Sequence, residues 1–275
     1  MKSILTSAAW IGLAASICGA PLLAQMRDNN QKQLSCDNGD YNSDNARHCE
    51  IREQSVPSVG SLNIDATRNG GVSVKGWLRG DTLVRARVET SGDTQAAAAG
   101  MASRVTIDGS GGQLKATGPE STENSSWSVS YEIFVPQTTD LTVKAHNGGI
   151  SISDVRGQIH FDGQNGGVRL TRVAGDVSGA TVNGGVQVEL AGTMWDGRQM
   201  DVSTRNGGVT IAMPANYSAH IQAETGNGRV QSDFPMPLEA SARSRRLDMN
   251  LGNSGPLIHV TTVNGGVRLK REDAQ

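Results

Sequence analysis

Three Asn-Gly-Gly triplets stand 18 residues apart, at Asn147-Gly148-Gly149, Asn165-Gly166-Gly167 and Asn183-Gly184-Gly185. Two apolar residues follow each triplet at alternate positions: Ile150 and Ile152, Val168 and Leu170, Val186 and Val188. Apolar or small residues also precede each Asn at −6, −4 and −2: Leu141, Val143, Ala145; Ile159, Phe161, Gly163; Val177, Gly179, Thr181. Alternation of this kind marks a strand with one buried face. Gly157 and Gly175 sit ten residues after their Asn. One period therefore reads as strand, Asn-Gly-Gly corner, strand, Gly corner. A fixed beat of this length defines a repeat fold. The expected class is all-β: a parallel β-solenoid, or β-helix, with coils of about 18–23 residues. Both corners are expected to need φ > 0, which Gly gives freely and Asn tolerates. Stacked coils would place the Asn side chains in a ladder with rungs about 4.8 Å apart.

The beat extends in both directions. Asn69-Gly70-Gly71 precedes Val72 and Val74, and Trp77 falls at the offset held later by Val155 and Val173. That offset predicts a third inward position. Asn206-Gly207-Gly208 follows Asn183 by 23 residues, Asn227-Gly228-Arg229 comes 21 later, and Asn264-Gly265-Gly266 a further 37. The last coil is followed by charged LKREDAQ, which would discourage it from stacking on another molecule. Residues 78–136 break the period. Within them Thr94 to Ser103 predicts a short helix or lengthened loop, and Ser110-Gly111-Gly112 reads as a degraded triplet.

Composition agrees with thin, regular layers. Aromatics make up 4% of the chain against 34 glycines, so small aliphatics must fill the core. The net charge of −2 gives no basic excess for nucleic acid and no acidic block. Residues 1–24 read as a secretory signal: Lys2, then an uncharged apolar run, then Leu22-Leu23-Ala24 before Gln25. Residues 25–57 form a polar leader, expected to be a loop over the first coil. It holds Cys36 and Cys49, an even pair expected to form a disulfide outside the cytoplasm.

Residues 58–271 resemble a bacterial family of exported β-strand-repeat domains of unknown function known as "putative adhesins". The resemblance is carried by VSVKGW (72–77), WSVSYEIFVPQTTDLTVKAHNGGISI (127–152), MPANYSAHIQAETGNGRVQSDFP (213–235) and PLIHVTTVNGGVRLKR (256–271). It implies a parallel β-solenoid outside the cytoplasm and no established catalytic activity. The leader lies outside it, and it brings no site residues.

No constellation for catalysis stands out. In the predicted register, row −3 reads Lys144, Asp162, Ala180, Ser203, Glu224, and row −5 reads Thr142, His160, Ser178, Asp201, Gln222. Lys144 with Asp162, and Asp154 with Arg172, look like cross-strand ion pairs. No two carboxylates stack beside a basic partner, as a glycoside hydrolase would need. The triplets lack the Asp of calcium-binding nonapeptides. His146, His160, His220 and His259 share no rung pair. Trp127 and Trp195 could stack on sugars, but lone tryptophans more often pack. No catalytic, cofactor or metal residues are therefore assigned, and the triplets are assigned as structural corners.

These readings lead to a non-enzymatic cell-envelope protein, periplasmic or at the cell surface. Its role would be adhesion, scaffolding or surface binding through the outer row Ser73, Ser151, Arg169, Gln187, Thr210, Arg268. The expected partner is an envelope protein or glycan, with peripheral association to the envelope and no nucleic acid. Two alternatives stand beside this reading: a carbohydrate-active β-helix using Asp162 or Glu224, and a periplasmic stress accessory or sensor.

Overall fold

A computed structural model describes residues 33–36, 45–236 and 244–272. The predicted signal segment and residues 25–32 and 37–44 of the leader lie outside the described residues. The first strands in chain order are β1 (Ala46–Pro57), β2 (Ser61–Asp65), β3 (Val72–Trp77), β4 (Asp81–Gly92), β5 (Thr106–Asp108), β6 (Gln113–Thr117) and β7 (Ser126–Pro136). The central strands are β8 (Asp140–Asn147), β9 (Ile150–Ser153), β10 (Arg156–Asn165), β11 (Val168–Thr171), β12 (Ala174–Asn183) and β13 (Val186–Glu189). The chain continues through β14 (Gln199–Asn206), β15 (Val209–Pro214), β16 (Ala219–Asn227) and β17 (Val230–Ser232). It ends in β18 (Arg246–Leu251), β19 (Leu257–Asn264) and β20 (Val267–Glu272). One short helix, α1 (Gln95–Ala102), is capped by the Thr94 hydroxyl accepting from the Ala97 N–H.

The strands form two ten-stranded sheets, the first in the order β1-β4-β7-β3-β9-β11-β13-β15-β20-β17 and the second in the order β18-β16-β19-β14-β12-β10-β8-β2-β6-β5. From β8 to β17 the chain alternates between them, one strand in each, with an Asn-Gly corner at each change from the second sheet to the first. Pairing is parallel and in register: Asn147, Asn165 and Asn183 face each other across β8, β10 and β12, while Ile150, Val168 and Val186 face each other across β9, β11 and β13. The inward residues of both sheets join one apolar core. The positions predicted to point inward at −6, −4 and −2 do so, including Leu141, Val143, Ile159, Phe161 and Val177.

Stacking order departs from chain order at both ends. The last layer, β19 with β20, lies inside the stack. β19 pairs with β14 on one side and β16 on the other, and β20 pairs with β15 and β17. The charged LKREDAQ segment thus begins within an internal layer, in β20, and the expectation that it guards the end of the stack is corrected. The end is formed instead by β16 and β17, and β18 closes the second sheet antiparallel to β16. The physical reason is strand length: β20 pairs with β15 over six residues, whereas three-residue β17 pairs over three, so the longer strand fills the internal position.

The same happens near residues 78–136. There β6 and β7 add a parallel layer outside β2 and β3. Next, β4 runs antiparallel on β7, and β1 antiparallel on β4. The leader, expected to be a loop, therefore contributes a 12-residue edge strand. Ser110-Gly111-Gly112 forms a single 3-10 turn that leads into β6, on the opposite side of the layer from the triplet corners, so it is not a degraded triplet. Trp77 is also corrected. It points away from the common core and stacks on Phe134 at 5.3 Å, forming a small outer cluster with Leu83. Val72, Val74 and Gly76 take the inner side of β3, so alternation turns Trp77 outward.

Candidate functional site

The sequence offered an outer row for binding and assigned the triplets as structural corners. The corners prove to be joints. Asn69, Asn147, Asn165, Asn183, Asn206, Asn264 and Asn227 form a continuous amide ladder, each Nδ2 donating to the neighbouring Oδ1 at 2.7–2.9 Å. The glycine after each Asn permits close stacking. A Cβ on Gly148, Gly166, Gly184 or Gly207 would lie 2.1–2.2 Å from the carbonyl oxygen of the matching glycine next door. Among the triplet residues only Gly70 and Gly265 have positive φ. The expectation that φ > 0 fixes these positions is thus corrected: backbone proximity does. The third residues, Gly71, Gly149, Gly167, Gly185, Gly208 and Gly266, meet neighbouring carbonyls at 3.1–3.4 Å, a much looser fit.

One part of the joint escaped the sequence reading. At −2 the side chains of Thr181, Thr204, Thr225 and Thr262 are buried, and each hydroxyl donates to a corner carbonyl of the adjacent layer, at Gly166, Gly184, Gly265 and Gly207 respectively (2.7–3.0 Å). The signal was present as a polar residue recurring at an inward position.

The outer face of the second sheet holds the richest polar surface. Register places Gln113, Asn63, Thr142, His160, Ser178, Asp201, His259, Gln222 and Asp248 in one row across nine strands. Because β19 lies between β14 and β16, His259 separates Asp201 from Gln222. That insertion gives His259 a rung partner: its Nδ1 lies 3.0 Å from Asp201 Oδ1. His160 Nδ1 lies 3.1 Å from Ser178 Oγ, and His220 Nε2 lies 2.8 Å from Asp248 Oδ1, which Gln222 also engages through Oδ2. The His220 hydrogen bond holds the Asp248 carboxyl below its usual value. The expectation of unpaired histidines is corrected for these three.

A trough of about 520 Å³ runs along this face from the Gly111-Gly112 turn to Arg198. Its floor and walls include Asn63, Thr142, Gln158, His160 and Ser178. Asp140 and Asp176 also line it, yet each is engaged with the backbone. Asp140 Oδ1 accepts from the Gln158 N–H at 2.7 Å, and Asp176 Oδ1 from the Arg198 N–H at 3.1 Å. The Arg198 guanidinium holds the Asp176 carboxyl below its ordinary range, the wrong direction for a general acid. Asp162 and Glu224, the earlier catalytic candidates, are four strand spacings apart, about 19 Å. A glycosidase pair needs about 5–9.5 Å. Glu224 is instead paired with Arg246 at 2.8 Å.

Of the predicted ion pairs, Asp154–Arg172 forms, with Nε to Oδ1 at 2.7 Å. Lys144 and Asp162 are in register but make no ion pair; Asp65 is bonded to Lys115 at 2.8 Å on the same row. Trp195 is buried in the core, and the Trp127 ring N–H donates to the Pro119 carbonyl at 2.7 Å. Neither ring is presented for sugar stacking. Among the described residues no group of three His, Cys, Asp or Glu side chains is placed to hold a metal ion. On the first sheet, Ser73, Ser151, Arg169, Gln187, Thr210 and Arg268 do share one outer row.

Cys36 and Cys49 are joined by a disulfide. No helix among the described residues is long and apolar enough to cross a membrane.

No family model matches the chain, and no curated protein matches it. Three solved structures are similar in backbone. One is described as a "putative cell adhesion protein" from Clostridium sporogenes (13% identity, TM-score 0.41, covering 82% of this chain and all of that one). Another is a "putative adhesin" from Bacteroides fragilis (12% identity, TM-score 0.36, covering 82% and 97%). A third is a "putative lipid binding protein" from Parabacteroides distasonis (10% identity, TM-score 0.30, covering 80% and 96%). Identities this low leave the site to be read from this chain's own residues.

Proposed function

We propose that this chain is a non-enzymatic, exported β-solenoid of the cell envelope, in the periplasm or at the surface. In this reading the outer face of the second sheet binds an extended polar partner, a glycan or an envelope protein. The observation that carries it is the trough over β2, β8, β10 and β12, lined by amide, hydroxyl and imidazole groups at strand spacing. Flat, regularly spaced polar groups suit a linear partner laid across the strands, and the trough's two carboxylates, Asp140 and Asp176, are each engaged by backbone N–H groups. The disulfide supports an oxidising compartment. The chain is divided as signal (1–24), leader (25–57) and solenoid (58–271).

The test is retention of the purified protein on peptidoglycan and envelope glycans, with crosslinking in the native cell to identify protein partners. Thr142→Trp, which fills the trough, should reduce retention about tenfold, while Thr210→Trp on the other sheet should not. Absence of any envelope ligand would remove the proposal's content. Turnover on a polysaccharide panel, lost in Asp176→Asn, would replace it with the carbohydrate-active reading.

A further inference from the structure

The most heavily built polar cluster lies away from that trough, on the outer face of the first sheet beneath Gln33–Cys36. Glu132 on β7 is only 2% exposed, and Lys75 on β3 and Arg85 on β4 are buried beside it. The Glu132 carboxylate pairs with Lys75 Nζ at 2.9 Å and with Arg85 Nη1. Its two oxygens also accept the consecutive N–H groups of Gln33 (2.9 Å) and Leu34 (3.3 Å). Arg85 Nη2 donates to the Leu34 carbonyl and Arg87 Nη1 to the Ser35 carbonyl, both at 3.2 Å. Arg87 Nε is buried there without a partner.

All four of these contacts with the segment go to its main chain. One carboxylate takes two successive donors, and two guanidiniums supply two successive acceptors. Such a site selects for a peptide backbone with free N–H groups, not for particular side chains. A buried charge cluster also needs these partners, because burial alone would push the Glu132 carboxyl up. Lys75 and the two N–H groups outweigh that and hold it down.

We propose that Glu132, Arg85 and Arg87 form a cradle for a peptide main chain, filled in the resting protein by Gln33–Cys36 and latched there by the Cys36–Cys49 disulfide. A dithiol reductant releases the latch. Its thiolate attacks one sulfur to give a mixed disulfide, and its second thiolate displaces that cysteine. Two electrons and two protons pass to Cys36 and Cys49, and the reductant leaves as its own disulfide. The untethered segment then exchanges with an extended, proline-free segment of a partner chain. The inference is independent of the trough on the other sheet.

The test uses the full chain carrying Cys36→Ser, Cys49→Ser and Leu34→Pro, which removes the latch and one N–H from the resident segment. The probe is a fluorescent peptide with the sequence of residues 28–36 and Ser at its last position. It should bind the opened chain saturably and bind oxidised wild type at least about tenfold more weakly. A probe with Pro at the Leu34 position, or Arg87→Ala in the opened chain, should each weaken binding about tenfold, the loss of one charge-assisted hydrogen bond. If Arg87→Ala does not fold, the Pro probe decides alone. Equal binding to oxidised wild type, no binding to the opened chain, or indifference to the Pro probe would overturn the cradle. In wild type, Gln33 and Leu34 amide exchange should accelerate at least about tenfold on reduction; unchanged protection would overturn the latch.

Discussion

At the residue scale, the corner glycines divide into two kinds that composition cannot separate. Gly166→Ala would drive a Cβ to 2.2 Å from the Gly148 carbonyl oxygen, while Gly167→Ala meets its nearest neighbour at 3.4 Å. The first should cost about 1–3 kcal/mol or more as overpacking; the second should cost clearly less. Denaturant midpoints of the two variants check this, and equal costs would contradict the stacking geometry. The ladder makes a parallel prediction. Asn183 is bonded on both sides, Asn227 on one. At about 0.5–1.5 kcal/mol per bond, Asn183→Ala should lose about twice what Asn227→Ala loses. Thr204→Val, which keeps the shape and removes the bond to Gly184, should cost about 1 kcal/mol. The Asn row was legible in the sequence because its period is strict. The reason for the glycines was not, since contact between neighbouring backbones is a property of stacking and leaves no mark on a single period.

At the element scale, the strands that alternate cleanly were readable, and their inward faces follow from that alternation. The insertions were not. Nothing in Val129, Tyr131, Ile133 and Val135 tells whether β7 pairs with β3 or with a later strand, because every strand of the sheet presents the same inner pattern. Trp77 shows the same ambiguity: its offset matched Val155, but β3 runs longer than β9, and the extra length turns the side chain outward. The leader was legible as a disulfide loop and not as a strand, because β1 is polar and gains its place by edge pairing. Its segment Gln33–Cys36 also carries a pH prediction. The Glu132 carboxyl has a folded value below its usual 4.5. Its contribution is therefore complete above about pH 4.5 and is lost as pH falls through the lowered folded value. Amide exchange at Gln33 and Leu34, corrected for intrinsic pH dependence, should show protection intact at pH 6 and lost at strongly acid pH. Protection that persists there would contradict the role given to Glu132.

At the scale of the whole molecule, parallel strands stack in register through eight layers, with antiparallel strands at both ends. The all-β class and the in-register parallel pairing were visible from the 18-residue beat. Layer order was not, because identical corners are interchangeable partners and the sequence holds no address for each. That order also shapes the outer row beyond the trough: placing β19 between β14 and β16 brings His259 to Asp201. The most direct measurement is therefore cysteine crosslinking along one outer row, with Cys36 and Cys49 replaced by serine. Thr210 is beside Arg268, and Arg268 is beside Gln231. Thr210→Cys with Arg268→Cys places the two Cα atoms one strand spacing apart, about 4.8 Å, within disulfide reach. Thr210→Cys with Gln231→Cys places them about 9.6 Å apart, beyond it. This layer order predicts an intramolecular disulfide in the first pair and none in the second; crosslinking of the second pair in place of the first would show that the layers follow chain order.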